Sequence, residues 1–130
     1  MKAILYAGLP RFIIENLHSI KLSSEGDSKL FFAFWENNQL DFNKISNANY
    51  KKQLKETLKV INKNFTNAFV VYIKPRDYLW EKNLDESSYN EIQGYRIALL
   101  QYDALQQCFN FAKKVLLQEK YNYTWYRSRG

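Results

Sequence analysis

The chain has 130 residues, enough for one domain with a single core and too few for two. With 46% hydrophobic and 17% aromatic residues it falls outside disordered compositions, and most of its ten Tyr and nine Phe must sit in or beside that core. A formal net charge of +6 suits an anionic partner (a phosphate-bearing small molecule, a nucleic acid or an acidic surface), although scattered lysines also read as plain solvation.

The first apolar run, residues 3–7, reads as a buried strand closed by Gly8. Pro10 suits the first turn of a helix, where its missing N–H costs nothing. Phe12, Ile13, Leu17 and Ile20 then recur at helical spacing, predicting one helix over residues 11–21 before a turn-rich break at 23–28. Residues 30–35 are apolar on both faces, as expected of a central strand in a covered, mostly parallel sheet. A polar, Asn-rich loop is expected over 36–49, followed by a helix over 49–64 striped by Leu54, Leu58, Ile61 and Phe65. Lys51, Lys52, Lys55, Lys59 and Lys63 fit the wet side of that helix.

Residues 68–73 form the most β-prone run, ended by Pro75, and 77–88 read as irregular. The longest predicted helix covers 89–120, with Ala98, Tyr102, Leu105, Phe109, Ala112 and Leu116 on its expected buried face. A fourth strand is expected over 123–127. Strand–helix alternation throughout predicts a single α/β domain over residues 1–130. The expected architecture is a Rossmann-like three-layer sandwich, a mostly parallel sheet of about four strands with helices on both faces.

The single cysteine, Cys108, excludes an internal disulfide and sits in an apolar helical stretch, as a packed thiol would. The N-terminal apolar run is too short for a signal peptide, and no stretch approaches a transmembrane span, so a cytoplasmic location is expected, with peripheral membrane contact left open.

In this architecture ligands gather at the rim formed by the strand C-termini. After the first strand, Gly8 would let backbone N–H groups approach a phosphate or ribose, and Arg11 could pair with phosphate oxygens; a tight turn with a surface arginine explains the same residues. After the second strand, Trp35 could stack on a base or sugar or be an ordinary rim aromatic, with Glu36 beside it. Lys74 and Arg76 follow the third strand as a basic turn. Arg127 and Arg129, two apart after the fourth, could both face a diphosphate or simply be exposed at a frayed end. His18, the only histidine, lies on a helix, which argues against a His-based triad or His-rich metal site. Asp77, Glu81, Asp85 and Glu86 share one irregular segment and read as solvated loop charges or a weak cation site.

Three stretches in order carry a family likeness: ILYAGLPRF at residues 4–12, LFFAFWEN at 30–37, and Leu100-Gln101-Tyr102 opening a long helix that leads to YNYTWYRSR at 121–129. The chain resembles the N-terminal part of WavE-like glycosyltransferases of bacterial surface polysaccharide synthesis, which are similar to nucleotide-sugar transferases of the GT-A kind. Glu36 stands where that pattern has Asp. The resemblance implies a nucleotide-sugar donor approached by Gly8 and Arg11, its diphosphate faced by Arg127 and Arg129, Trp35 stacked on base or sugar, and a saccharide acceptor. It also implies Mg²⁺ or Mn²⁺ held by an Asp expected just past Gly130, so residues 1–130 would be the truncated donor-binding part of a larger protein, inactive or nearly so alone. The alternative from the residues themselves is a non-catalytic α/β module that binds a protein or nucleic acid, with a sheet edge free to form a homodimer.

Overall fold

The computed structural model describes residues 1–36, 47–74, 89–117 and 121–125; the side chains at 11, 47 and 89–98 lie outside that description. The elements run β1 (Lys2–Gly8), α1 (Arg11–Glu15), α2 (Leu17–Ser23), β2 (Ser28–Trp35), α3 (Asn47–Asn64), β3 (Ala68–Ile73), α4 (Tyr89–Leu116) and β4 (Asn122–Trp125). The four strands make one sheet in the order β3-β2-β1-β4, and every pairing is parallel. This is the expected α/β Rossmann-like sandwich.

Alternation along each strand sends side chains to opposite faces, and both faces are covered. On one face Tyr6 lies 6.1 Å from Phe32 and 6.2 Å from Phe34, and Phe65, just past α3, closes on Phe32 at 6.0 Å. On the other, Phe31 stacks on Phe69 at 5.1 Å and meets the edge of Phe111 of α4 at 6.1 Å. Leu30 through Trp35 are all buried, which makes β2 the apolar spine of the molecule. The chain steps from β1 to β2 to β3 with α1–α3 on the first face, then crosses to β4 on the far side of β1 through α4 on the second. Constant crossover handedness requires that change of face when the direction of stepping reverses.

α4 lies close to the sheet because the residues beneath it are small: Ala104, Cys108 and Ala112, at 1%, 0% and 0% exposure, recur every fourth position. The Cys108 Sγ sits over the strand backbone, 3.5 Å from the Phe31 carbonyl and 3.8 Å from that of Tyr6, bridging β2 and β1. The thiol is packed, as its surroundings in the sequence suggest.

Four local expectations are revised. The helix expected over 11–21 is two: at Asn16 (φ −111°, ψ 17°) the backbone leaves helical geometry, and the side-chain amide donates to the Phe12 carbonyl at 2.9 Å, beside the Asn16 backbone N–H that donates to the same oxygen at 3.0 Å. The helix expected from 49 begins at Asn47, within the expected loop; residues 37–46 lie outside the described residues. α4 ends at Leu116 rather than 120, with Leu117 at φ 52° adopting the left-handed turn that stops a helix. Tyr102, expected on the buried face, is 67% exposed. The apolar positions of α4 form two adjacent strips: Leu100, Ala104, Cys108 and Ala112 meet the sheet, while Tyr102, Leu105 and Phe109 overhang its β4 edge. The fourth strand is described as far as Trp125; Tyr126 and Arg127, like Pro75 and the irregular segment 77–88, lie outside the described residues.

Close helix–sheet packing leaves no room at Ala112, so Ala112→Leu is expected to destabilise the fold by about 1–3 kcal/mol, while Tyr102→Ser stays within about 0.5 kcal/mol; urea titration of both variants checks the pair.

Candidate ligand-facing rim

Because all strands are parallel, Gly8, Trp35 and Ile73 end on one rim, while Trp125, the last described residue of β4, lies level with Leu5. The strand order reverses between β1 and β4, since β2 and β3 lie on one side of β1 and β4 on the other. In open parallel sheets that reversal leaves a crevice between the diverging crossovers, the usual place for a ligand. Gly8 leads from β1 into it. Its φ of +155° falls where side-chain-bearing residues rarely go, although a Cβ there would meet no atom within 4 Å. Backbone conformation, not lack of space, calls for glycine.

Three hydroxyls hold the rim by donating to backbone carbonyls. The Tyr6 OH donates to Leu9 O at 3.0 Å, fixing the turn after β1. Thr57 of α3, fully buried, donates from Oγ1 to Pro10 O at 3.1 Å and ties α3 to the start of α1. The Tyr50 OH donates to Trp35 O at 2.6 Å and fixes the end of β2. Burial pushes the Tyr50 phenol well above the ordinary tyrosine value, and the neighbouring Tyr6 adds to the shift, so it remains a donor. At the end of β3, Gln107 grips both backbone groups of Lys74: Oε1 accepts from the N–H and Nε2 donates to the carbonyl, each at 2.9 Å. Nε2 also donates to the buried Asp103 carboxylate at 3.0 Å.

The candidate residues fare unequally. Gly8 stands at the switch point, and Arg11 opens α1 three residues later, its side chain outside the described residues. Arg127 and Arg129 lie outside the described residues as well, beyond a strand whose last described residue, Trp125, pairs with Leu5. Trp35 is only 3% exposed, so its indole offers no open face to a base or sugar, whereas Glu36 beside it is exposed. Arg76 and the acids at 77, 81, 85 and 86 lie outside the described residues. His18 is exposed on α2. Among the described residues no group of three His, Cys, Asp or Glu side chains comes together as a metal site, and no helix is long and apolar enough to cross a membrane.

Tyr6, Tyr50, Thr57 and Gln107 were not singled out by the sequence reading. Thr57 carried a signal, as a polar residue on the buried side of a regular apolar stripe, and Tyr50 precedes Leu54 by one turn. Gln107 carried none, being one of several glutamines on α4.

A second concavity lies on the α4 face beside β4, a groove of about 430 Å³ lined by Leu5, Tyr102, Leu105, Phe109, Tyr123 and Trp125. The Phe109 and Tyr123 rings meet edge-on at 4.9 Å in its wall. Compared with models of known protein families, with curated proteins and with solved structures, the chain matches none.

Gly8→Ala is expected to cost about 1–3 kcal/mol through backbone strain alone, and Tyr50→Phe about 0.5–1.5 kcal/mol through loss of one hydrogen bond, both read by urea titration. A pH dependence follows from Cys108, whose thiol burial pushes from 9.0 up to about 12, against a smaller lowering from the Tyr6 carbonyl. With its folded value raised, its stabilising contribution is complete below pH 9.0 and is lost as pH climbs toward about 12. Cys108→Ala should flatten stability over that interval, by up to about 1.4 kcal/mol per pH unit.

Proposed function

We propose that this chain is the donor-binding α/β unit of a nucleotide-sugar-dependent glycosyltransferase of the WavE-like kind. The observation that carries the reading is the glycine at positive φ leaving β1 where the order of a fully parallel sheet reverses. Tyr6 and Thr57 hold the carbonyls of Leu9 and Pro10 from behind. The turn is thereby preorganised, and a donor would meet it without a further ordering cost.

On this reading Gly8 lets the backbone come close to the nucleotide, Arg11 supplies charge to its phosphates, and Arg127 and Arg129 approach the diphosphate from the β4 side. Cationic groups at those positions stabilise the leaving nucleoside diphosphate as the sugar bond breaks. Mg²⁺ or Mn²⁺ would accompany the diphosphate, but no carboxylate cluster among the described residues stands ready to hold it. The proposed activity of these residues is donor binding, with the saccharide acceptor and the transfer step belonging to the larger protein that the resemblance implies. Trp35 supports the end of β2 from within the core in place of the stacking role its position suggested.

Calorimetric titration of the folded chain with UDP- and GDP-type ligands, with and without Mn²⁺, tests this. Dissociation constants below about 1 mM are expected for at least one nucleotide, corresponding to about −4 kcal/mol or better, with weaker binding by Arg11→Ala. No heat of binding at millimolar ligand from a folded sample contradicts the reading.

A further inference from the structure

The positive charge is not spread evenly over the sandwich. Among the described side chains, Lys21 of α2 is set against Glu15 of α1, and in α3 five lysines are set against Glu56 alone. Those side chains give the helical layer an excess of four positive charges, whereas in α4 Lys113 and Lys114 are set against Asp103 for an excess of one.

Within α3 the lysines are placed as tightly as a helix allows. Lys51, Lys55, Lys59 and Lys63 follow one another every fourth residue, with Lys52 alongside, and all five are exposed. At 100° per residue they occupy a sector of about 120° and reach along about 18 Å of helix. The other described residues in that sector are Ala48 and Asn62, both exposed, and Glu56 lies at its margin. The opposite side is spent on the core, through Tyr50, Leu54, Thr57 and Ile61.

Three successive like-charged pairs one turn apart work against the helix, so the arrangement is not one that helix stability favours. An anionic counterpart turns the same repulsion into attraction. The shape of the patch selects among anions. It lies on one side of a single helix, and its five flexible ammonium-tipped side chains can reach a charged plane together. It has no arginine fork for bidentate phosphate or base contacts and, on α3 itself, no exposed aromatic ring for base stacking. Nor has it large apolar residues to insert into lipid, so attraction to a membrane would be electrostatic and reversible.

We propose that the lysine face of α3 docks this protein onto an anionic lipid bilayer, orienting the α1–α3 layer toward the headgroups. Docking is independent of nucleotide binding, and either can fail without the other.

Co-sedimentation of the full 130-residue chain with vesicles tests it. Vesicles containing about one third phosphatidylglycerol in phosphatidylcholine should bind at least about tenfold more strongly than phosphatidylcholine alone at about 50 mM salt, and about 500 mM salt should release the protein. The triple variant Lys51→Gln, Lys55→Gln, Lys59→Gln should lose about tenfold or more in binding while keeping its circular dichroism spectrum, and Lys113→Gln with Lys114→Gln on α4 should change it less than about threefold. Equal binding to both vesicle types, an α3 triple variant as tight as the parent, or preference for a duplex oligonucleotide over the anionic vesicles would overturn the proposal.

Discussion

β1 is hydrogen-bonded on both sides, to β2 along its whole length and to β4 over Lys2–Leu5, and both partners run parallel to it. Everything else in the molecule is arranged around that double pairing. It places Gly8 where the sheet reverses its order, requires α4 to cover the face opposite α1–α3, and points all four strands toward the rim where β1, β2 and β3 end. Parallel pairing carries its own requirement, because strands joined by crossovers are covered on both faces and must be apolar on both. The unbroken Leu30–Trp35 run meets it beside β1, with Phe31 turned toward α4 and Phe32 toward α3.

Order at the rim comes from hydroxyls buried behind it. Tyr6, Thr57 and Tyr50 each donate to the carbonyl of a residue that no longer belongs to regular ladder geometry or stands at its end. Buried carbonyls left without a donor are costly, so these bonds hold the exits of β1 and β2 in place rather than merely filling space. Gln107 does the same for β3 from the opposite layer, acting through both of its amide atoms. The exits of three adjacent strands are thus fixed from helices on two faces. Among the described side chains the two layers also differ in charge, the α1–α3 layer carrying the larger positive excess.

Strand positions were legible because the apolar runs at β1, β2 and β3 are short, β-branched or aromatic, and closed by Gly8, Glu36 and Pro75. The α3 stripe was legible for the same reason at helical period. Two things were not. The first helix breaks at Asn16 through a change of backbone angles that leaves the apolar spacing of Phe12, Ile13, Leu17 and Ile20 intact, so periodicity runs straight through the break. In α4 two apolar strips adjoin, and the larger residues, Tyr102, Leu105 and Phe109, mark the overhanging strip. The strip that meets the sheet is built largely from small ones, Ala104, Cys108 and Ala112, because close approach demands small side chains. Of the expected face, Ala112 and Leu116 are buried and Leu105 and Phe109 are half-buried against the core, so hydrophobic spacing misplaced only Tyr102 among the described side chains. At the rim, glycine at Gly8 was readable from its place after a strand, whereas Trp35 looked like a rim residue in sequence and is buried because alternation turns it inward.

The pairing of β4 beside β1 decides the account most directly, since a different neighbour or an opposite direction would remove the order reversal and with it the crevice. Backbone nuclear Overhauser effects between the two strands measure it. Parallel contacts linking Ala3 with Tyr123 and Leu5 with Trp125, in the register found here, are the predicted result. An antiparallel pattern between these strands, or β4 contacts made to β3 instead, would contradict it.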